Sequence, residues 1–454
     1  MATRRRAITL LACAGGVLGA WVNGCGFDGA GSADIASDDA AAGAETGAAL
    51  PDGAPGPDGA APPDAADGGL PPPTTVVLAP AGTVAAPTGN AQQTHLVYAV
   101  HSQRWWLFTI DSNDVNALHT YSSTDFVTWV AGASLAMPYT HANEGGNFSV
   151  AYADLGGTDV VHIGFSHRIA SNDRRHLHTR ATIAAGAIAF GTPQEVVAVT
   201  DPLLIDPDGC ATVISPDGHV MDLTGWAPYG GLSTQTGNAC AYLASNVDTG
   251  ASWTSGFGAR DDIATAIRTM NARVGLPTTG SQVVSLWETA DLEPSPTNVG
   301  WAQWNGSSWG IAGYVFATAL SQGYNDWAVT RLTNGEIHAV RRTALGAYQH
   351  RKLVAGSWTD GQAIAAMPGV LNGGLVLLSL DTRMLLATIG SDTAKSVDVA
   401  TWDGATWSAW SAIESAPGAR TFLSGHASPV GGAALLWTEQ VASTMQVAGR
   451  RVVF

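Results

Sequence analysis

Lysine is almost missing from this chain. Two lysines stand among 454 residues, and Lys and Arg together reach 21 against 37 Asp and Glu, a net charge of −16. Proteins that grip nucleic acid use clustered cations that displace counterions from phosphates, so charge argues against a nucleic-acid partner. The same deficit argues against docking of the body onto anionic lipid. Charge of either sign is scarce, at 13% of residues, and cysteine is limited to four. No apolar run makes a convincing spanning helix of ~20 residues, and no stretch shows the period of an amphipathic helix. Glycine, at 54, and tryptophan, at 16, are abundant, which suits a β-rich protein with many tight turns.

The charge is unevenly placed. Residues 1–25 read MATRRRAITLLACAGGVLGAWVNGC, with Arg4, Arg5 and Arg6 ahead of a short apolar run from Ala7 to Val22. This is the pattern of a secretion leader. Val22-Asn23-Gly24-Cys25 resembles the lipobox of bacterial lipoproteins, in which a small residue precedes an acylated cysteine, although Asn23 departs from it. Leu10-Leu11-Ala12-Cys13 fits that pattern better but leaves a shorter apolar region. Cys25 is therefore the expected lipidation site, Cys13 its alternative, and an ordinary cleaved leader the third reading. Residues 26–73 are almost entirely Ala, Gly, Asp and Pro. Such a segment buries too little apolar surface to offset chain entropy and reads as a disordered tether. Nine acidic and no basic residues fall in 26–75; setting aside that −9 and the leader's +3 leaves −10 on residues 76–454. The expected organisation is a signal peptide (1–25), a tether (26–73) and one folded domain (74–454). The expected location is the bacterial cell envelope, at the outer membrane or surface, or outside the cell, with membrane contact only through a lipid anchor.

The folded part repeats. Trp129, Phe190, Trp253, Trp309, Trp358 and Trp407 recur every 49 to 63 residues, most of them behind a Gly-containing turn. Between them lie short apolar runs such as HLVYAV, WWLFTI, DVVHIGF, GLVLLSL and RMLLATI. About four strands per unit at a period near 50 predicts an all-β fold, a β-propeller. Six units end near these aromatics, and a seventh begins at Arg420 with only about three strands. A strand at Thr74–Leu78 supplies its fourth and removes the free edges of the ring. Seven blades are expected, with six as the alternative.

Several hairpins resemble the Asp-box of the sialidase-like (BNR) superfamily, Ser-x-Asp-x-Gly-x-Thr-Trp: Ser245 to Trp253, Asn305 to Trp309 and Asp403 to Trp407. Tyr121 to Trp129 is more similar to the hairpin of arabinanase- and xylosidase-type propeller glycosidases. The Asp and Gly of these hairpins make the turn and the Trp packs between blades, so they speak for fold and not for activity. The resemblance implies a site on the face where the innermost strands begin and where second and third strands are joined. There the chain offers His141, Asn143 and Glu144; His167 and Arg168; Asp201, Asp206 and Asp208; Trp226 and Tyr229; Arg260, Asp261 and Asp262; Trp287 and Glu288; Asp326 and Trp327; Arg341 and Arg342; and Arg420, Trp437 and Glu439. Aromatic rings stack on sugars and Arg forks bind carboxylates, so a polysaccharide or other glycan is the expected partner.

His141, the strand-borne His162 and then His167 resemble the arrangement of ulvan-lyase-type polysaccharide lyases. That resemblance implies catalysis by His141, His167, Tyr229 and Arg260, with Arg neutralising a uronate while His or Tyr moves protons. Tyr139-Thr140 stands where that family has Asp-Asp, and only two units are covered. A glycoside hydrolase needs a carboxylate pair instead, which Asp206 or Asp208 with Glu288 or Asp326 would supply. A true sialidase is disfavoured, because the Arg-Ile-Pro signature is absent. A lectin-like or protein-binding propeller needs no catalyst at all. Glu144, Arg168, Trp226, Trp287, Trp327 and Arg341 complete the ligand contacts expected on any of these readings. Five of twelve histidines lie between His141 and His178, yet their spacing matches no closed metal site, and neither metal nor cofactor is expected. Cys210 and Cys240 form the expected disulfide of an oxidising compartment, although they sit on the first and third strands of one unit.

Overall fold

The structure, a computed structural model, describes residues 75–82, 92–110, 117–136, 148–170, 173–199, 204–228, 240–246, 271–280, 282–289, 298–306, 308–316, 326–343, 346–367, 374–390, 396–415, 420–428 and 432–453. All of them lie in the unit Gly69–Phe454. Among them every regular element is a strand, and no helix is long and apolar enough to cross a membrane.

The strands form seven antiparallel sheets. Strand β1 (Val76–Gly82) precedes sheet one, which holds β2 (Leu96–Ala99), β3 (Arg104–Ile110), β4 (Ala117–Ser123), β5 (Val130–Ala131) and β6 (Leu135–Ala136). Sheet two holds β7 (Phe148–Asp154), β8 (Asp159–Ala170), β9 (Asp173–Ala184), β10 (Ala187–Phe190) and β11 (Gln194–Val199). Sheet three is β12 (Leu204–Ile214), β13 (His219–Pro228) and β14 (Cys240–Asn246). Sheet four is β15 (Asn271–Pro277), β16 (Val283–Thr289), β17 (Asn298–Trp304) and β18 (Trp309–Tyr314). Sheet five is β19 (Trp327–Arg331), β20 (Ile337–Arg342), β21 (Tyr348–Val354) and β22 (Ser357–Asp360). Sheet six is β23 (Leu375–Leu380), β24 (Arg383–Ile389), β25 (Ser396–Trp402) and β26 (Ser411–Ser415). Sheet seven is β27 (Arg420–Ala427), β28 (Ala433–Val441) and β29 (Thr444–Val452), with β1 as its outer strand.

The first strands β2, β7, β12, β15, β19, β23 and β27 each touch the next, and β27 touches β2, so they line a closed ring. This is a β-propeller. Closure is covalently economical: β1 pairs antiparallel with β29, Val76 opposite Gly449 and Val77 opposite Ala448. Pairing ends of the chain in one sheet leaves no open edge between them.

The sequence reads this way because each inner sheet is covered on both faces. Alternating side chains of β3 divide between two cores: Trp105 and Leu107 pack towards sheet seven, Trp106, Phe108 and Ile110 towards sheet two. In β24 Met384 and Leu386 face sheet five, while Leu385, Ala387 and Ile389 face sheet seven. A strand buried on both sides must be apolar at every position, which explains the unbroken runs. The hairpin caps behave as their sequences imply. Asp125 accepts from Val127 N and Thr128 N, both at 2.8 Å, and Asp403 accepts from Ala405 N and Thr406 N, both at 2.8 Å. Trp129 and Trp407 pack against neighbouring cores.

Six of the seven contacts between neighbouring sheets are filled by apolar clusters. Between sheets two and three the described contact is polar. Asp222 on β13 meets His178 Nδ1 at 2.7 Å and His176 Nε2 at 3.3 Å, and His178 meets His162 at 3.1 Å. Thr212 donates to Asp222 at 2.8 Å and accepts from Gly164 N at 3.0 Å. All five side chains are buried.

Candidate functional site

The upper face, where first strands begin and second strands end, is built from strand ends more than the sequence suggests. His167 and Arg168 lie within β8, opposite Arg175 and Arg174, and not in a loop. β7 begins opposite Phe165, so the β8–β9 ribbon extends beyond the start of β7 and stands on this face. Next to the ribbon, β12 already holds Asp206 and Asp208, and β13 holds Trp226. Glu288 lies in β16, opposite Asn271 and Val299. Three first strands bulge near their start: β12 around Asp208, β15 between Ala272 and Val274, and β27 between Thr421 and Ser424. Bulges re-aim side chains and are frequent beside binding sites.

The floor of this face is tied across the ring. Gln92, ahead of β2, donates its side-chain amide to Trp327 O at 3.0 Å. Ser424 on β27 donates to Gln93 O at 3.1 Å. Sheets one, five and seven thereby meet at the inner rim, held by side-chain bonds as well as by packing.

Several expected ligand contacts are closed off. Trp287 is fully buried in the core between sheets three and four, because it shares the parity of Val283 on β16. Trp327 is fully buried between sheets four and five, and Trp437 between sheets six and seven. None of the three is a platform for a sugar ring; each is a core residue of its strand. Arg341 is buried too, its guanidinium 4.7 Å from the Phe316 ring centre and its Nε donating to Gln349 at 2.9 Å. Burial, and Arg351 next, lower its pKa. Asp326 is buried in an ion pair with Arg342, which removes it from a catalytic pair across the funnel. Arg420 lies over Trp437 and reaches Glu439 at 3.3 Å and Glu414 at 3.5 Å. The charges of Arg341, Arg342 and Arg420 are thus met by protein carboxylates or covered by rings.

His141, Glu144, Tyr229 and Arg260 lie outside the described residues, as do Cys25 and Cys13. Cys210 and Cys240 lie on β12 and β14 with β13 between them. Two strand spacings amount to ~9.6 Å, beyond the ~7 Å a disulfide spans, so only the bulge between Asp208 and Ala211, where Cys210 sits, offers a way inward.

The clustered histidines resolve into structure. Burial would raise the Asp222 pKa, but His178 and His176 overcome it and hold the carboxyl far below its ordinary range. Among the described residues no group of three or more His, Cys, Asp or Glu side chains is arranged to take a metal ion. Sequence reading missed Asp222 and Thr212, whose strands follow in the next sheet; no local signal marks them.

No known family matches the sequence, and no curated protein matches it. Among solved structures the chain is similar to a Trypanosoma rangeli sialidase in complex with sialic acid, at 10% identity over 84% of this chain and a TM-score of 0.45. The match spans 59% of the sialidase's length. A Dyadobacter fermentans protein of unknown function matches at 14% identity over 83% of this chain and 97% of its own, TM-score 0.42. The six-bladed fungal lectin from Aleuria aurantia matches at 13% identity over 68% of this chain and 95% of its own, TM-score 0.41.

Proposed function

We propose that this chain is an exported glycan-binding propeller, each of the seven sheets forming one blade, with its ligand on the upper face beside sheets two and three. The observation that carries the reading is the β8–β9 ribbon, which brings His167, Arg168, Arg174 and Arg175 next to β12 with Asp206 and Asp208. Cationic and carboxylate residue types on neighbouring strands beside a bulge suit the hydroxyl groups of a sugar, and Trp226 on β13 is the aromatic residue type of that set. Arg341, Arg342 and Arg420 are already engaged.

Cleavage is the second reading, favoured by the position of His167 on the overhanging ribbon. His141, His167, Tyr229 and Arg260 would carry a lyase step, and Asp206 or Asp208 with Glu288 a hydrolase step. Export by the leader and acylation at Cys25 complete the proposal, with residues 26–73 as spacer.

The test is a panel of neutral and uronate-containing polysaccharides presented to the purified full chain. Binding, reducing ends and the ultraviolet absorbance of a new double bond are followed in parallel, with His167→Ala and Trp226→Ala beside the parent. Binding weakened by both substitutions without turnover establishes the lectin reading. Turnover lost in His167→Ala establishes cleavage, and the absorbance separates lyase from hydrolase. Absence of binding to every glycan refutes the proposal.

A further inference from the structure

Two sheets carry the same buried device in opposite electrical settings. In sheet two His162 on β8 and His178 on β9 meet Nδ1 to Nε2 at 3.1 Å. In sheet five His338 on β20 and His350 on β21 meet through the same atoms at 3.0 Å. The register relation is the same: His162 is opposite Arg180 and His338 opposite Lys352, with the second histidine two residues earlier on the partner strand. All four rings are buried.

The free side of the second ring decides how each pair answers protons. His178 Nδ1 faces the Asp222 carboxylate at 2.7 Å and donates its N–H there. His350 Nδ1 instead faces two donors: Gln362 N at 3.0 Å and Trp407 Nε1 at 3.3 Å. It must therefore be bare, and the proton sits on Nε2, donated to His338. His338 then points its own Nε2 towards Glu336 at 3.5 Å. Protonating His350 sets N–H against two N–H groups and a positive ring against His338.

Among the described residues no acid nearby is uncommitted. Glu336 is paired with Lys352, which itself faces His338. Arg342 and Tyr348 lie on the same side of sheet five, Arg342 paired with Asp326. On sheet six Asp398 shares the facing side but lies four residues along β25 from Trp402 and accepts from Ser396. Asp403 is occupied by its own turn. Asp360 lies beside Arg351 at 3.4 Å.

We propose that the contact between sheets five and six is an acid-released latch, closed by the bare Nδ1 of His350 and opened by its protonation, whereas the contact between sheets two and three sets the Asp222 carboxylate against its histidine pair. Burial, and then His338, push the His350 pKa down to about 4, so the latch resists protonation until opening exposes the ring. Below the ordinary histidine value of 6.5 the open form gains a proton that the closed form lacks. The opening constant then rises about tenfold for each pH unit.

The Trp407 indole N–H and the Gln362 amide report the latch directly. Their hydrogen exchange in the full chain, corrected for the intrinsic pH dependence, is measured from pH 7.5 to 5 together with amides of β9 and β13. The proposal expects the opening of Trp407 and Gln362 to rise about tenfold per unit below pH 6.5, with β9 and β13 unchanged. His350→Gln is expected to abolish that rise. Constant protection at Trp407, an equal rise in every sheet, or a full response in His350→Gln each overturns it. Should His350→Gln not fold, imidazole nitrogen NMR of the parent decides: a proton on His350 Nδ1 near neutral pH overturns the latch.

Discussion

Residue identity matters most where the backbone or the electrostatics leaves one solution. Ala185 and Ala355 hold positive φ, at 49° and 48°, ahead of Gly186 and Gly356 at 77° and 78°. These are two-residue hairpin turns with both central residues left-handed, a geometry that suits Asn-Gly far better than Ala-Gly. Ala355→Asn is therefore expected to stabilise the fold by about 0.5–1 kcal/mol, read as a higher urea midpoint with unchanged slope. Asp222 is the opposite case. It is buried with two histidines and a threonine hydroxyl on its oxygens. Asp222→Ala leaves those groups without their acceptor and is expected to cost about 3 kcal/mol. A midpoint within error of the parent would show that the contact between sheets two and three does not depend on this carboxylate.

At the scale of the strand and turn, sequence and structure agree where the cause is local. Each Asp-box-like turn needs a side-chain oxygen acceptor at its first position, as Asn305 is for Ser308 N, and a ring at its end, and both are visible in the chain. Asp125 and Asp403 are held below the ordinary carboxylate range by the backbone N–H groups they accept, so the caps persist well into acid. Asp125→Ala is expected to speed exchange of the Val127 and Thr128 amides several-fold while leaving β7–β9 unchanged; unchanged exchange at both amides would deny the cap its role. Strands were legible because inner sheets show unbroken apolar runs. Their ends were not. Trp287 and Trp327 look like loop aromatics in sequence, yet each sits at a core-facing position of a strand that runs further than its apolar stretch. The histidine cluster was visible, but Asp222, which explains it, is 44 residues from His178 in the next sheet. The candidate site was legible as a face and a set of residue types, and less so as contacts. Arg341, Arg342 and Arg420 carry charges whose partners only the ring assembles.

At the scale of the whole ring, burial of histidine couples stability to pH. His95 lies at the head of sheet one, edge-on to Phe148 at 4.6 Å, and burial lowers its pKa to about 3 against a smaller raising effect of the Phe148 backbone. His350 is lowered to about 4 by burial and by His338. Both are neutral in the folded ring and ordinary once it unfolds. Below 6.5 and down to those lower values the unfolded chain binds the extra protons, so stability falls as pH falls; well above 6.5 neither group contributes any slope. Each histidine removes up to about 1.4 kcal/mol per pH unit, and the pair about 2 kcal/mol from pH 6.5 to 5.5. The slope eases near pH 4, where His350 begins to titrate within the fold. Asp222 and Asp159 are shifted in the same direction but act at lower pH. Their folded pKa values are depressed, so their contribution is complete above the ordinary carboxylate range and is lost only below it. Histidines therefore govern the window from 6.5 to about 4, and carboxylates the range beneath it. Urea midpoints at pH 8, 6.5, 5.5 and 4.5 are expected to fall slightly across the first pair and more steeply through the rest, and the drop from 6.5 to 5.5 is expected to be smaller in His350→Gln, where His95, His338 and His426 still share it. A midpoint that stays level from pH 8 to 5.5 would mean that these rings gain their protons without leaving the fold.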